Sequence, residues 1–400
     1  VPPASEIDKA ARILNGGEKI AILVGAGALK AREELIALAE ITGGGIAKAL
    51  LGKAAVEDSL PYVTGCIGLL GTEASSQLMK HCDTLLMVGS NFPYSEYLPK
   101  PGSVKAIQID LDPANISLRY PMDVGLIGDS AATLKLLLPL LRQKADNNWR
   151  QQVEKWVVDS ENDLKAQAVA EANPVNPERV FVELSKRLPE DAIITCDSGT
   201  STVWYARHLK MRPGMAASVS GALASMGCSM PYAVAAKFAF PERPVFCCIG
   251  DGAMQMAGIN ELITVAKYWR EWTNPRLVII VLKNNDLSFV TAEMRATEGE
   301  PRFADSQDVP EFGYAFYARS LGLEGYKLDS PDLIESTLSS ALLADRPVVV
   351  EVVADANVAP LPPSISFGEA VNFAQAIGKE GDATPIVETL KMAWARLSGK

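Results

Sequence analysis

The chain has 400 residues, 48% of them hydrophobic and 22% charged, with 30 Gly, 25 Pro and a formal net charge of −10. Such a length calls for two or three domains and excludes a single small module. The acidic excess repels phosphate backbones, and with no basic patch in the sequence it sets nucleic acid aside. No apolar run approaches the roughly 18 residues of a spanning helix, so no membrane-crossing segment is expected. Six cysteines without C-x-x-C spacing fit reduced thiols and a cytoplasmic location. His81 and His208 are the only histidines, too little material for a His-based zinc site or a Ser-His-Asp triad. The chain opens Val1-Pro2-Pro3 without a methionine and is read as trimmed, processed or cut from something longer.

In chain order, apolar strand-like runs at 20–24, 85–88 and 104–109 alternate with helical periodicity, which predicts a first α/β domain over residues 1–170. Residues 146–165 are charged and suit a linker helix on the surface, and Asn173-Pro174-Val175-Asn176-Pro177 marks the break after it. Residues 171–358 repeat the pattern with strands expected at 192–196, 244–249, 277–282 and 347–353. Runs that are β-branched and apolar on both faces suit parallel strands covered by helices. The fold class expected is therefore α/β, two doubly wound parallel-sheet domains, the first Rossmann-like. A tail over 359–400 ends in a helical stretch at 385–397, with Ile386, Leu390, Ala393, Trp394 and Leu397 on one face. Packing on the body of the protein and lying on a membrane surface are the two readings of that face.

Chemistry gathers at two strand ends. Gly250-Asp251-Gly252-Ala253 follows the apolar run 245–249 directly and leads into a helix. Flanking glycines let the backbone approach an anion, a helix start offers free N–H groups, and a carboxylate between them can hold Mg²⁺ against a diphosphate. Alone this string is often a mere tight turn. The run 277–282 then leads into Lys283-Asn284-Asn285-Asp286. If the two strands are parallel neighbours, both carboxyl ends share one rim, and Asp251 and an asparagine oxygen can grip one hard cation.

With these motifs the sequence resembles thiamine-diphosphate-dependent enzymes of the pyruvate oxidase and acetolactate synthase group. The likeness is nearest to pyruvate oxidases and quinone-dependent pyruvate dehydrogenases. Further strings in order carry it: Gly68-Leu69-Leu70-Gly71, Gly89-Ser90-Asn91-Phe92-Pro93-Tyr94, Ile107-Gln108-Ile109-Asp110, Cys196-Asp197-Ser198-Gly199-Thr200, and Phe289-Val290 with Glu293-Met294. The resemblance implies metal contacts from the Asp251 carboxylate, the Asn284 amide oxygen and the Asp286 backbone carbonyl. Asn284 is preferred to Asn285 because Phe289-Val290 then falls in register. Lys283 stands where the family has its first asparagine, and an insertion at 269–275 lengthens the gap after Asp251. Gly199, Thr200, Gly250, Gly252 and Ala253 would meet the diphosphate, and Ala224 and Met226 the aminopyrimidine, with Met226 the wedge that bends the cofactor. Phe289 and Glu293 would line the substrate side, Glu293 as a candidate for proton handling.

In the first domain the resemblance implies FAD, with Gly25, Gly27, Ser90, Asn91, Asp110 and Asp112 at the flavin positions. Gly25-Ala26-Gly27 lacks the third glycine of a dinucleotide fingerprint, so NAD is poorly supported. The family carries a preceding pyrimidine-binding domain with a glutamate that no residue here supplies, and this chain is expected to be an incomplete fragment. It also implies a homodimer or tetramer and a small 2-oxo acid substrate, with peripheral contact at an inner membrane left open. Three functions are thus in play: flavin-linked decarboxylation of pyruvate, acetolactate-type carboligation, or a non-catalytic cofactor-binding module.

Overall fold

The computed structural model describes residues 1–363 and 366–381. The predicted helix at 385–397 lies outside them. The chain divides into two compact units, Val1–Lys165 with Lys210–Pro213, and Ala166–Leu209 with the chain from Gly214 onward.

The first unit is built on a six-stranded sheet in the order β3-β2-β1-β4-β5-β6. Its strands are β1 (Ile20–Val24), β2 (Gly45–Lys48), β3 (Val63–Cys66), β4 (Thr84–Val88), β5 (Lys105–Asp110) and β6 (Val124–Ile127), and every pairing is parallel. β1 and β4 lie at the centre and are buried along their whole length, which is why both read as unbroken apolar runs. The chain moves outward from β1 through β2 to β3, then returns to start β4 on the other side of β1, so the order reverses between β1 and β4. The helix Asn148–Ala168 is anchored rather than free. Trp149 and Val153 are buried in the core of this unit, and the Trp149 indole N–H donates to the carbonyl of Ile20 at 3.0 Å. Its charged composition reports the solvent side only.

The second unit carries another six-stranded parallel sheet, β11-β12-β10-β9-β7-β8. Its strands are β7 (Ile193–Cys196), β8 (Ala216–Val219), β9 (Val245–Gly250), β10 (Leu277–Lys283), β11 (Glu324–Leu328) and β12 (Val348–Val353). β9 and β10 are its central apolar strands. From β7 the chain goes outward to β8 and comes back to β9 on the opposite side of β7. Loops leaving adjacent strands in opposite directions open a crevice at their carboxyl ends, the usual ligand position in such sheets. Two doubly wound parallel-sheet units are thus present, as the hydrophobic patterning requires.

Candidate functional site

Register brings the Gly-Asp-Gly loop and the Asn-Asn loop together. Leu282 of β10 lies opposite Gly250 of β9, so the next residue on β9 sits beside the first residues past β10. The Asp251 side chain is buried and accepts three backbone N–H groups: Gly252 on Oδ1 at 2.8 Å, and Asn284 at 2.9 Å and Asn285 at 2.7 Å on Oδ2. Burial pushes its carboxyl up to about 6, against the downward pull of those N–H groups. Among the described residues no lysine, arginine or histidine bonds to it. The helix that starts at Asp251 runs through a π-helical turn, Met254–Gly258, of a kind common at functional sites.

The rest of the Asn loop is pinned by its neighbours. Asn284 donates to the Ser288 hydroxyl at 2.9 Å and takes the Asp286 N–H at 3.2 Å on its amide oxygen. Asn285 adopts φ 55°, a left-handed conformation that asparagine tolerates better than most residues. Its side chain turns away from Asp251 to the Val309 carbonyl and Glu311. The Asp286 carboxylate is buried against Thr291 and Arg302, which leaves its backbone carbonyl as the atom it can offer a cation. A cavity of about 530 Å³ lies along this loop, lined in part by Asn284, Asn285, Asp286, Arg295, Arg302 and Asp308. No three His, Cys, Asp or Glu side chains converge on a metal position among the described residues. The donor set here is instead one carboxylate, one amide oxygen and one carbonyl, hard oxygen ligands that suit Mg²⁺ and leave other coordination places to ligand and water.

Residues 224–229 approach the Gly-Asp-Gly turn and the helix after it. Ala224 sits at φ 48°, held by bonds to Ser220, and Met226 is 38% exposed. A Cβ on Gly252 would lie 3.7 Å from Met226 Cε, so the methionine reaches over the Gly-Asp-Gly turn rather than into the core. Gly227, at φ 87°, passes so close to Ala257 that a side chain there would lie 2.5 Å from the alanine methyl. Gly199, at φ 113°, caps the helix Thr200–His208, and Thr200 follows it half-buried. Gly250 has open space where a Cβ would stand, whereas Ala253 is fully buried. Phe289 is half-buried on the helix Ser288–Glu298, and Glu293, about one turn along, is exposed with its carboxylate unbonded among the described residues.

Asp197 is a residue to which sequence reasoning gave no role. It is fully buried at the end of β7. Its carboxylate accepts the N–H groups of Ser198 at 2.9 Å, Gly227 at 2.8 Å and Ser229 at 2.8 Å, and the Ser229 hydroxyl at 2.7 Å. It therefore ties the Met226 loop to the switch point. The signal was available, since it too is a carboxylate directly after a buried strand.

In the first unit the loop residues are arranged differently. Gly25 donates to the Val88 carbonyl and Gly27 to that of Gly89, both at 3.0 Å. A Cβ on Gly25 would stand 2.4 Å from the Gly89 oxygen. Beyond them Asn91 donates to Asn115 Oδ1 at 3.1 Å, and Asn115 to Asp110 at 3.2 Å. Asp112 caps the short turn Pro113–Asn115, and Ser90 is buried with its carbonyl taken by Gln108. The Asn91 amide oxygen is buried without a partner among the described residues, an acceptor open to a donor from a ligand or water.

A doubly wound parallel sheet with a buried carboxylate and oxygen donors at its switch point defines a class: α/β proteins that bind a ligand at the carboxyl ends of their strands. Sequence comparison makes this specific. Residues 7–137 match the thiamine pyrophosphate enzyme central domain and residues 197–352 the thiamine pyrophosphate enzyme C-terminal TPP binding domain. The chain belongs to the thiamine pyrophosphate enzyme family and carries these two domains. It is 33% identical over 374 residues to a putative thiamine pyrophosphate-containing protein, YdaP, of Bacillus subtilis (strain 168), covering 94% of this chain and 63% of the relative. A probable acetolactate synthase large subunit of Methanococcus aeolicus is 27% identical over 392 residues, 92% of this chain and 64% of the relative. Pyruvate oxidase of Lactiplantibacillus plantarum (strain ATCC BAA-793 / NCIMB 8826 / WCFS1) is 25% identical over 366 residues, 90% and 59%. The chain thus spans less than two thirds of the length of these relatives. No helix among the described residues is long and apolar enough to cross a membrane.

Proposed function

We propose that this chain binds thiamine diphosphate through Mg²⁺ and serves the decarboxylation of a small 2-oxo acid, pyruvate first among the candidates. The observation that carries the reading is the Asp251 carboxylate, buried at a strand rim and raised to about 6 with N–H partners alone. A bound cation would remove that penalty. The Asp251 carboxylate, the Asn284 amide oxygen and the Asp286 carbonyl would hold the metal. Gly199, Thr200, Gly250, Gly252 and Ala253 would face the diphosphate, and Ala224 and Met226 the aminopyrimidine. When bound, the cofactor supplies an electron sink for breaking the bond between a 2-oxo acid's carbonyl carbon and its carboxylate.

The chain's own residues orient and exclude. Asp197 holds the Met226 segment in place, Phe289 shields the substrate side from water, and the unbonded Glu293 carboxylate is available to move a proton. Electron transfer to FAD, and then to quinone or oxygen, is the finer form of the proposal. The unpartnered Asn91 oxygen, on a residue linked through Asn115 to Asp110, supports it. Gly25 and Gly27, closed against Gly89, would contribute shape rather than free N–H groups. Carboligation is the second reading, favoured by acetolactate synthases among the relatives. A homodimer or tetramer belongs to the same proposal.

Calorimetry with thiamine diphosphate, with and without Mg²⁺, tests the site: Mg²⁺-dependent binding that Asp251→Ala abolishes is expected, and unchanged affinity in that variant overturns the reading. Pyruvate with an artificial electron acceptor then separates the activities. Acceptor reduction supports oxidation, acetolactate the ligase, and neither leaves a cofactor-binding module or a truncated chain. A flavin spectrum in the purified chain tests FAD.

A further inference from the structure

Lys283 occupies the last position of β10 and is 5% exposed. Its ammonium lies 3.2 Å from Glu351 Oε1 and is paired with Glu311 as well. The two carboxylates have different surroundings. Glu351 is buried on β12, and its other oxygen accepts the Ala315 N–H at 3.0 Å. Glu311 is 73% exposed along its side chain, but Oε2 accepts the Asn285 side-chain amide at 3.1 Å. Asn285 in turn donates its backbone N–H to Asp251 at 2.7 Å. A continuous series of bonds therefore runs from β12 through Lys283 and Glu311 to the loop that closes over Asp251. A lysine has the reach and the three donors to bridge two carboxylates at once; an asparagine at this position has neither the length nor the charge.

We infer that Lys283 is a positioning residue: it clamps Glu311 so that Glu311 holds Asn285, and with it the 284–286 loop, in the conformation that presents Asp251 and Asn284 to a cation. The inference rests on the reading of this loop as the cation and diphosphate site. Asn285, at φ 55°, is tethered through its Nδ2 alone, which donates to both the Val309 carbonyl and Glu311. Freeing Glu311 removes one of these and leaves the ordering of the loop to the incoming ligand.

The test uses the exposed member, whose loss the fold tolerates. In the full chain, Glu311→Ala should weaken Mg²⁺-dependent thiamine diphosphate binding about 3- to 10-fold by calorimetry, as loss of one solvent-exposed hydrogen bond predicts. Its melting temperature should stay close to that of the parent. Glu311→Gln, which still accepts from Asn285, should recover part of the affinity, a rescue that a merely structural role would not give. Parent-like affinity in Glu311→Ala, alongside lost binding in Asp251→Ala, overturns the clamp and leaves the site reading standing. Parent-like affinity in Asp251→Ala overturns the site reading and the clamp with it.

Discussion

Each unit carries a glycine pair at the end of a central strand, and the leading glycine of each meets different surroundings. In the first, Gly25 and Gly27 are pressed against Gly89 and their N–H groups are consumed by neighbouring carbonyls. In the second, Gly250 faces open space, while Gly252 gives its N–H to Asp251 and would set a Cβ 2.6 Å from Leu287 Cδ2. Buried carboxylates show the same contrast. Asp58 in the first unit contacts Lys48 at 2.8 Å and Lys53 at 3.7 Å and also accepts the Met211 N–H at 2.7 Å. Burial pushes its carboxyl up, but the two lysines outweigh that and hold it well below the usual carboxylate range. Asp251 has the burial without the cations, and its carboxyl rises to about 6. Asp58 has its countercharge built into the fold and Asp197 is satisfied by four N–H and O–H donors, whereas Asp251 has three N–H donors and a raised carboxyl, which suits a cation from outside.

The contrast can be broken most severely at Asp58. Asp58→Ala leaves Lys48 and Lys53 buried without their anion and should destabilise the chain by about 3–5 kcal/mol, read from chemical denaturation. A loss below about 1 kcal/mol would dissolve the distinction between the two carboxylates.

Next in size is the pH response, which should have opposite sign at the two residues. Asp58 has its folded value lowered, so its stabilisation is present above the unfolded value of 3.8 and is lost as the pH falls below it. Asp251 has its folded value raised, so the protonated form stabilises the fold below 3.8 and that contribution disappears as the pH climbs through about 6. Cation-free parent chain should therefore lose about 2–3 kcal/mol relative to Asp251→Ala between those limits. Parallel stability curves for the two chains across that range would refute it.

Smaller effects come from the glycines. Gly25→Ala forces a methyl to within 2.4 Å of the Gly89 carbonyl and should cost about 1–3 kcal/mol by thermal or chemical melting. Gly250→Ala has nothing within 4 Å to strike, and its φ of −82° suits any residue. Its folding stability should change by about 0.5 kcal/mol or less, while calorimetry shows weaker cofactor binding, since the methyl lies on the face proposed for the diphosphate. Equal melting penalties at both glycines would erase the difference between a packed turn and an open one.

Both parallel sheets were legible because their central strands, buried on both faces, leave unbroken runs such as Ile20–Val24 and Leu277–Lys283. Short or mixed strands left no such mark. Gly45–Lys48 ends in a lysine buried against Asp58, and Glu324–Leu328 is a sheet edge with exposed positions. The candidate site was legible as two strings, Gly-Asp-Gly and Asn-Asn, because each concentrates groups that a cation or an anion needs within a few residues.

What the sequence determined by itself was therefore local: which runs are apolar enough to be central strands, and which residue types stand at their ends. Tertiary structure decided the rest. Strand order and register put Asp251 beside Asn284, separated by more than thirty positions in the chain. Packing closed Gly25 and left Gly250 open, and gave Asp58 its lysines while, among the described residues, withholding any from Asp251. It also assembled the series from Glu351 through Lys283 and Glu311 to Asn285. Such features depend on distances between residues remote in sequence, and composition and periodicity carry no record of those distances until the sheet has formed.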